Sequence, residues 1–112
     1  MARLPNTEKA IIEAGKLKDY ILSPVHPVGR FKAAFFQKLG YSIADWKLLE
    51  RHLRDLILRE DLAKTEEMYY GNKFIIEGHL ECPSGEKVKV VTVWVILKGE
   101  NIPRFVTVYP GG

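Results

Sequence analysis

An α+β fold is predicted for this chain: three N-terminal helices, then an antiparallel sheet of three to four strands, with the helices packed on one face. Two observations predict it. Apolar residues recur with helical spacing as far as about residue 63, and alternate with polar ones from Phe74 onward. Two turn sequences, Pro83-Ser84-Gly85-Glu86 and Lys98-Gly99-Glu100-Asn101, then punctuate the strand-like half, so consecutive strands return antiparallel. The 112 residues carry no linker and no internal repeat, and they are read as one domain, 1–112.

The elements follow in order. Ala10, Ile11 and Ile12 fit a short extended piece. A first short helix carries Leu17, Tyr20 and Ile21 inward and stops at Ser23-Pro24, because the residue before a proline is driven out of the helical region. The second helix runs from about Gly29 to Gly40, with glycine available for the left-handed position after the last turn. The third has the clearest start: Ser42 and Asp45 form a variant capping box, with Tyr41 and Trp46 as its hydrophobic staple. Its stripe is Trp46, Leu49, Leu53, Leu56 and Ile57, running to about Glu60 or Ala63, with His52 at its boundary.

Phe74, Ile76, Gly78 and Leu80 then share one strand face; Ile75, Glu77, His79 and Glu81 share the other. The next strand is apolar on both faces from Val90 to Leu97, which predicts a central position. In the last strand, strict alternation puts Arg104, Val106 and Val108 on one face and Phe105, Thr107 and Tyr109 on the other.

Bulk composition narrows the function classes. Hydrophobic residues make up 46% and charged residues 28%, which excludes a disordered chain. A formal charge of +3 is compatible with a nucleic-acid partner without demanding one. The single cysteine, Cys82, excludes an internal disulfide and a thiolate metal cage, and fits a reducing, cytoplasmic setting. MARLPNTEKA has no secretory-signal pattern, and no apolar run is long enough to span a bilayer as a helix.

One stretch is out of keeping with simple packing: SPVHPVGRFKAAFF, residues 23–36. Lys32 lies on the apolar stripe with Phe35, Phe36 and Leu39, and His26 is held between Pro24 and Pro27 just before the helix. A helix start offers unpaired N–H groups to a phosphate, with Gly29 permitting close approach and Arg30 and Lys32 adding charge. Against this stand plain alternatives: a histidine bonding its own turn, and a lysine whose stem covers apolar surface while its head reaches water. Thr107 and Tyr109 on the last strand offer hydroxyls and a ring for stacking on a base, or are simply good strand formers. Glu77, His79 and Glu81 read as a polar sheet face; no metal and no cofactor is expected.

The succession LPN..KA, KL..Y.L, HPVGR.KA.FF..LG, YG..F and PR.VT.YP resembles a widespread prokaryotic domain family of uncharacterised function across nearly the whole chain. Its HP.G..KA..F element is similar to segments of toxin modules, which resemble in turn the barnase, EndoU, colicin and RelE group of small ribonucleases. The resemblance implies a metal-independent endoribonuclease with His26, Lys32, Arg104, Thr107 and Tyr109 in its catalytic site and Tyr70 binding substrate, to which the helix-start reading adds Gly29 and Arg30. It further implies RNA as substrate, His26 as general acid or base, and a small acidic antitoxin or immunity protein as partner. The alternative from another class is a non-catalytic interaction module, or a relative that has lost activity.

Overall fold

The computed structural model describes residues 3–111. A short helix, α1 (Ala14–Lys16), continues as a wider π-type turn over Leu17–Ile21, closed by the Leu22 amide donating to the Leu17 carbonyl at 2.8 Å. Two regular helices follow, α2 (Gly29–Lys38) and α3 (Trp46–Arg59). The sheet consists of β1 (Lys64–Met68), β2 (Gly71–Glu81), β3 (Lys87–Leu97) and β4 (Arg104–Pro110), antiparallel and in sequence order. This is the predicted α+β architecture.

The core forms where the helical stripes meet the sheet. Leu49, Leu53, Leu56 and Ile57 of α3 are fully buried with Ile76 and Leu80 of β2 and Trp94 of β3. Each such side chain contributes roughly 1.5–3 kcal/mol by leaving water. The polar atoms inside are paired: the Trp94 indole donates to Thr92 Oγ1 at 2.9 Å, and that hydroxyl donates to the Ile76 carbonyl at 2.9 Å. His52 shares a 2.7 Å hydrogen bond with the Tyr41 hydroxyl at the boundary of this core.

One helix start needs an adjustment. Ser42 Oγ accepts the Asp45 amide at 3.3 Å, so half of the capping box exists, but α3 itself opens at Trp46. Gly40 takes the left-handed conformation expected after α2, with φ 97°.

The first strand was not legible, because KTEEM carries almost no apolar residue. It forms because its backbone pairs with β2 from Lys64 opposite Ile75 to Met68 opposite Gly71. Its charges, including a 3.1 Å Lys64–Glu66 pair, suit an edge exposed to water. At the other side of the sheet Ile11 bridges Arg104 in parallel, and the two segments exchange backbone hydrogen bonds of 2.8 Å. The extended piece at Ala10–Ile12 therefore anchors the N-terminal segment beside β4.

Strict alternation fails in β4, and the failure matters. Val93 pairs with Thr107 while Trp94 pairs with Phe105, so Val106 is one extra residue in the strand. This bulge reverses the phase beyond it. Phe105 and Val108 are both buried in the core, whereas Arg104, Thr107 and Tyr109 stand opposite Val95, Val93 and Val91 on the face away from α3. The grouping expected from the sequence, Phe105 with Thr107 and Tyr109, is corrected accordingly.

Candidate functional site

Lys32 does not reach out to bulk water. Its ammonium donates to the Tyr20 hydroxyl at 2.8 Å and to Thr107 Oγ1 at 2.6 Å. It lies 4.9 Å from the Tyr20 ring centre and 5.9 Å from that of Tyr109. The three partners come from the π-type turn and from β4. An ammonium has three N–H donors, and two are committed here, so one remains for a ligand.

The π-type turn explains why Tyr20 is free for this role. A stretch closed by i→i+5 bonds carries an extra residue per turn, so Tyr20 leaves the buried stripe that Leu17 and Ile21 keep. Its ring packs against the core while its hydroxyl stays polar. The bulge at Val106 explains Thr107 in the same way. Two local irregularities thus aim the acceptors that hold Lys32.

His26 is fixed by the helix start. Its Nδ1 accepts the amides of Val28 and Gly29 at 3.0 and 2.9 Å, and its carbonyl accepts the Arg30 amide at 3.0 Å. Ser23 Oγ in turn accepts the amides of Val25 and His26 at 3.3 and 3.2 Å. A ring nitrogen that accepts carries no proton, so the neutral imidazole holds its proton on Nε2. The same bonds consume the amides that were expected to cradle a phosphate. The start of α2 is closed by its own histidine, which leaves Nε2 as the ring atom without a partner among the described residues. The Tyr20 and His26 rings meet edge to face, 4.9 Å apart.

Beside the Lys32 cluster lies an open hollow of about 550 Å³, lined by Glu13, Gly15, Lys16, Tyr20, His26, Val106 and Thr107. A second hollow of about 430 Å³ shares Val106 and Thr107 with it and extends across the sheet to Tyr70 and Tyr109. His26, Lys32, Thr107 and Tyr109 are thus brought together, with Tyr70 next door.

Three expected residues stand apart. The Arg104 guanidinium turns to Glu100, 3.1 Å away, in an exposed pair, and it also feels the charge of Glu13. Arg30 is exposed and lies over the Phe31 ring, 4.8 Å from its centre. Gly29 is buried, and a Cβ on it would sit 1.9 Å from the Tyr20 carbonyl oxygen, so its role is packing of α2 against the π-type turn. Glu77, on the polar sheet face, has Lys89 at 3.9 Å, and no metal-binding cluster occurs among the described residues.

Two members of the site were missed. Tyr20 was read as core from its period, although a tyrosine on an apolar stripe brings a hydroxyl that needs a partner. Glu13 has no motif around it; only the folded chain places it on the lining of the same hollow as His26. Cys82 is buried, and burial pushes its thiol up, which suits an inert side chain.

The Lys32 ammonium bonded to its oxygen holds the Tyr20 phenol below its ordinary value of 10.0, against an opposing contribution from burial. A depressed pKa favours the folded phenolate. That stability is fully present above the unfolded value and is lost as pH falls through the folded one. Ultraviolet phenolate titration is expected to find one tyrosine ionising early, and Lys32→Met to return it to the normal range.

Comparison with known proteins agrees with this architecture. The family model described as a domain of unknown function (DUF6883) matches residues 3–112. No curated protein matches the sequence. A solved chain from a contact-dependent growth inhibition toxin–immunity protein complex of Klebsiella pneumoniae 342 superposes with a TM-score of 0.71 at 20% identity, over 91% of this chain and 100% of that one. At that identity the likeness is one of fold. Among the described residues no helix is long and apolar enough to cross a membrane. With the family model covering nearly its full length, the chain belongs to the DUF6883 domain family.

Proposed function

We propose that this domain is a toxin-type endoribonuclease that cleaves RNA through attack of a ribose 2′-hydroxyl on the adjacent phosphorus, without a metal ion. The observation that carries the reading is the caged ammonium of Lys32, held by Tyr20 and Thr107 with one N–H unspent. Fixed positive charge beside an ionisable phenol suits a reaction that builds charge on phosphate oxygens. The donor set also suits the absence of a metal role, since one carboxylate, Glu13, lines the hollow among the described residues. Hard divalent ions favour several oxygen ligands.

Lys32 and the Nε2–H of His26 hold the non-bridging oxygens. Glu13 takes the proton from the 2′-hydroxyl as the O2′–P bond forms. The Tyr20 phenol gives its proton to the 5′-oxygen as the P–O5′ bond breaks, and the adjacent ammonium stabilises the phenolate left behind. The products are a 2′,3′-cyclic phosphate and a 5′-hydroxyl. In this scheme His26 is an anion-positioning donor in place of the acid or base expected from its type, because its Nδ1 is committed to two amides.

The site of action is cytoplasmic RNA, and a small acidic inhibitor protein is the partner. Val25, Val28 and Phe31 are exposed by 83%, 57% and 68%, beside His26 and Arg30. Exposed apolar groups next to cations suit a partner that brings both apolar contact and carboxylates. The fold shared with a chain of a toxin–immunity complex supports the same assignment.

Induced expression in a bacterial host tests it. Growth arrest with degraded RNA is expected, relieved by Glu13→Gln, since removing a general base lowers rates roughly 10²–10⁴-fold. Harmless expression with intact RNA would favour a non-catalytic interaction module.

A further inference from the structure

The second hollow has the character of a binding site for a flat aromatic ligand. Its floor is Val93 and Val95, its walls include Tyr70 and Tyr109, and it joins the Lys32 site through Thr107. Val93 is only 5% exposed although it lies outside the main core cluster and points to the face away from α3. At about 430 Å³ the space falls within the usual range for small-ligand pockets, roughly 300–1,000 Å³. This apolar floor and its two phenol rings lie on the sheet face that α3 does not cover.

We propose that this hollow takes an unpaired nucleobase next to the phosphate that Lys32 holds, so that the substrate is single-stranded RNA. The inference rests on the ribonuclease reading and specifies its substrate. Its geometric support is that the Lys32 ammonium stands 5.9 Å from the Tyr109 ring centre, so one nucleotide can place its phosphate on the lysine and its base on the tyrosine. Stacking on tyrosine tolerates any base, whereas a base inside a duplex cannot enter a pocket on the sheet surface. Lys73, on the rim of the hollow, gives a donor toward ring carbonyls or the next phosphate.

Fluorescence anisotropy with a short 2′-O-methyl RNA strand, which cannot be cleaved by its own ribose, reads this directly. The single strand is expected to bind at least ten times more tightly than the same strand in a duplex. Tyr109→Ala is expected to weaken binding of the single strand by roughly 5- to 100-fold, as loss of one stacking platform does. Tyr109→Phe, which keeps the ring, should restore it. Tyr109 is 37% exposed, and unchanged circular dichroism and melting of the variants would separate binding from folding. Equal affinity for duplex and single strand, or an unaltered Tyr109→Ala, overturns the base pocket. If RNA cleavage by the unmodified protein persists alongside either result, the phosphate chemistry stands and only this inference falls. If the unmodified protein neither binds nor cuts RNA, both fall together.

Discussion

Lys32→Met is expected to lower the rate of RNA cleavage by about 10²–10³-fold, the usual cost of removing one preorganised donor to a developing oxyanion. Two effects combine. The phosphate loses its fixed ammonium, and the Tyr20 phenol loses the charge that lowers its pKa and stabilises its anion. Folding is expected to change little. Lys32 is only half-buried, the methionine stem fills similar space, and Tyr20 and Thr107 can bond each other or water in its absence. Two hydrogen bonds among part-exposed groups put the cost at about 1 kcal/mol. Lys32→Arg is not expected to restore activity, because a planar guanidinium cannot occupy a cage shaped for a compact ammonium. Parallel melting and cleavage assays would separate the two quantities. A variant with full activity removes Lys32 from the chemistry.

Gly29→Ala is expected to have the largest effect on stability, about 3 kcal/mol or more, the upper range for overpacking a filled site. The added Cβ would meet the backbone carbonyl of Tyr20 at 1.9 Å and its carbon at 2.7 Å. No side-chain rotation relieves a clash with backbone, so α2 must move away from the π-type turn. That movement also pulls Lys32 from Tyr20, and activity falls with stability. A melting midpoint lowered by roughly 10 °C or more is the expected reading for a domain of this size. An unchanged midpoint would mean that α2 and the turn are not packed as described.

The expected architecture was legible because burial writes its period plainly. The stripe of α3 and the alternation of β2 each specify one apolar face, and Gly40 and the Pro83–Glu86 turn mark where the chain must stop and reverse. β1 escaped because an edge strand made of KTEEM owes its form to pairing with a neighbour. The site was partly legible for a related reason. Lys32 was conspicuous as a charge on an apolar stripe, and His26 as a ring between two prolines. Their roles depended on details that no period encodes. The i→i+5 turn frees Tyr20, and the bulge at Val106 moves Thr107 and Tyr109 to the face away from α3. The capping of α2 by His26 turns an apparent phosphate seat into a closed one. Sequence likewise gives no sign that Arg104 will pair with Glu100 across a turn.

The central claim is that the Lys32, Tyr20 and Thr107 cluster, with Glu13 and His26, transfers a phosphoryl group within RNA. Incubating the purified protein with total RNA in excess chelator, and identifying the ends, tests it most directly. Fragments ending in 2′,3′-cyclic phosphate and beginning with 5′-hydroxyl are expected, formed about 10²–10³-fold more slowly with Lys32→Met. Intact RNA, or ends bearing 5′-phosphate, would contradict it.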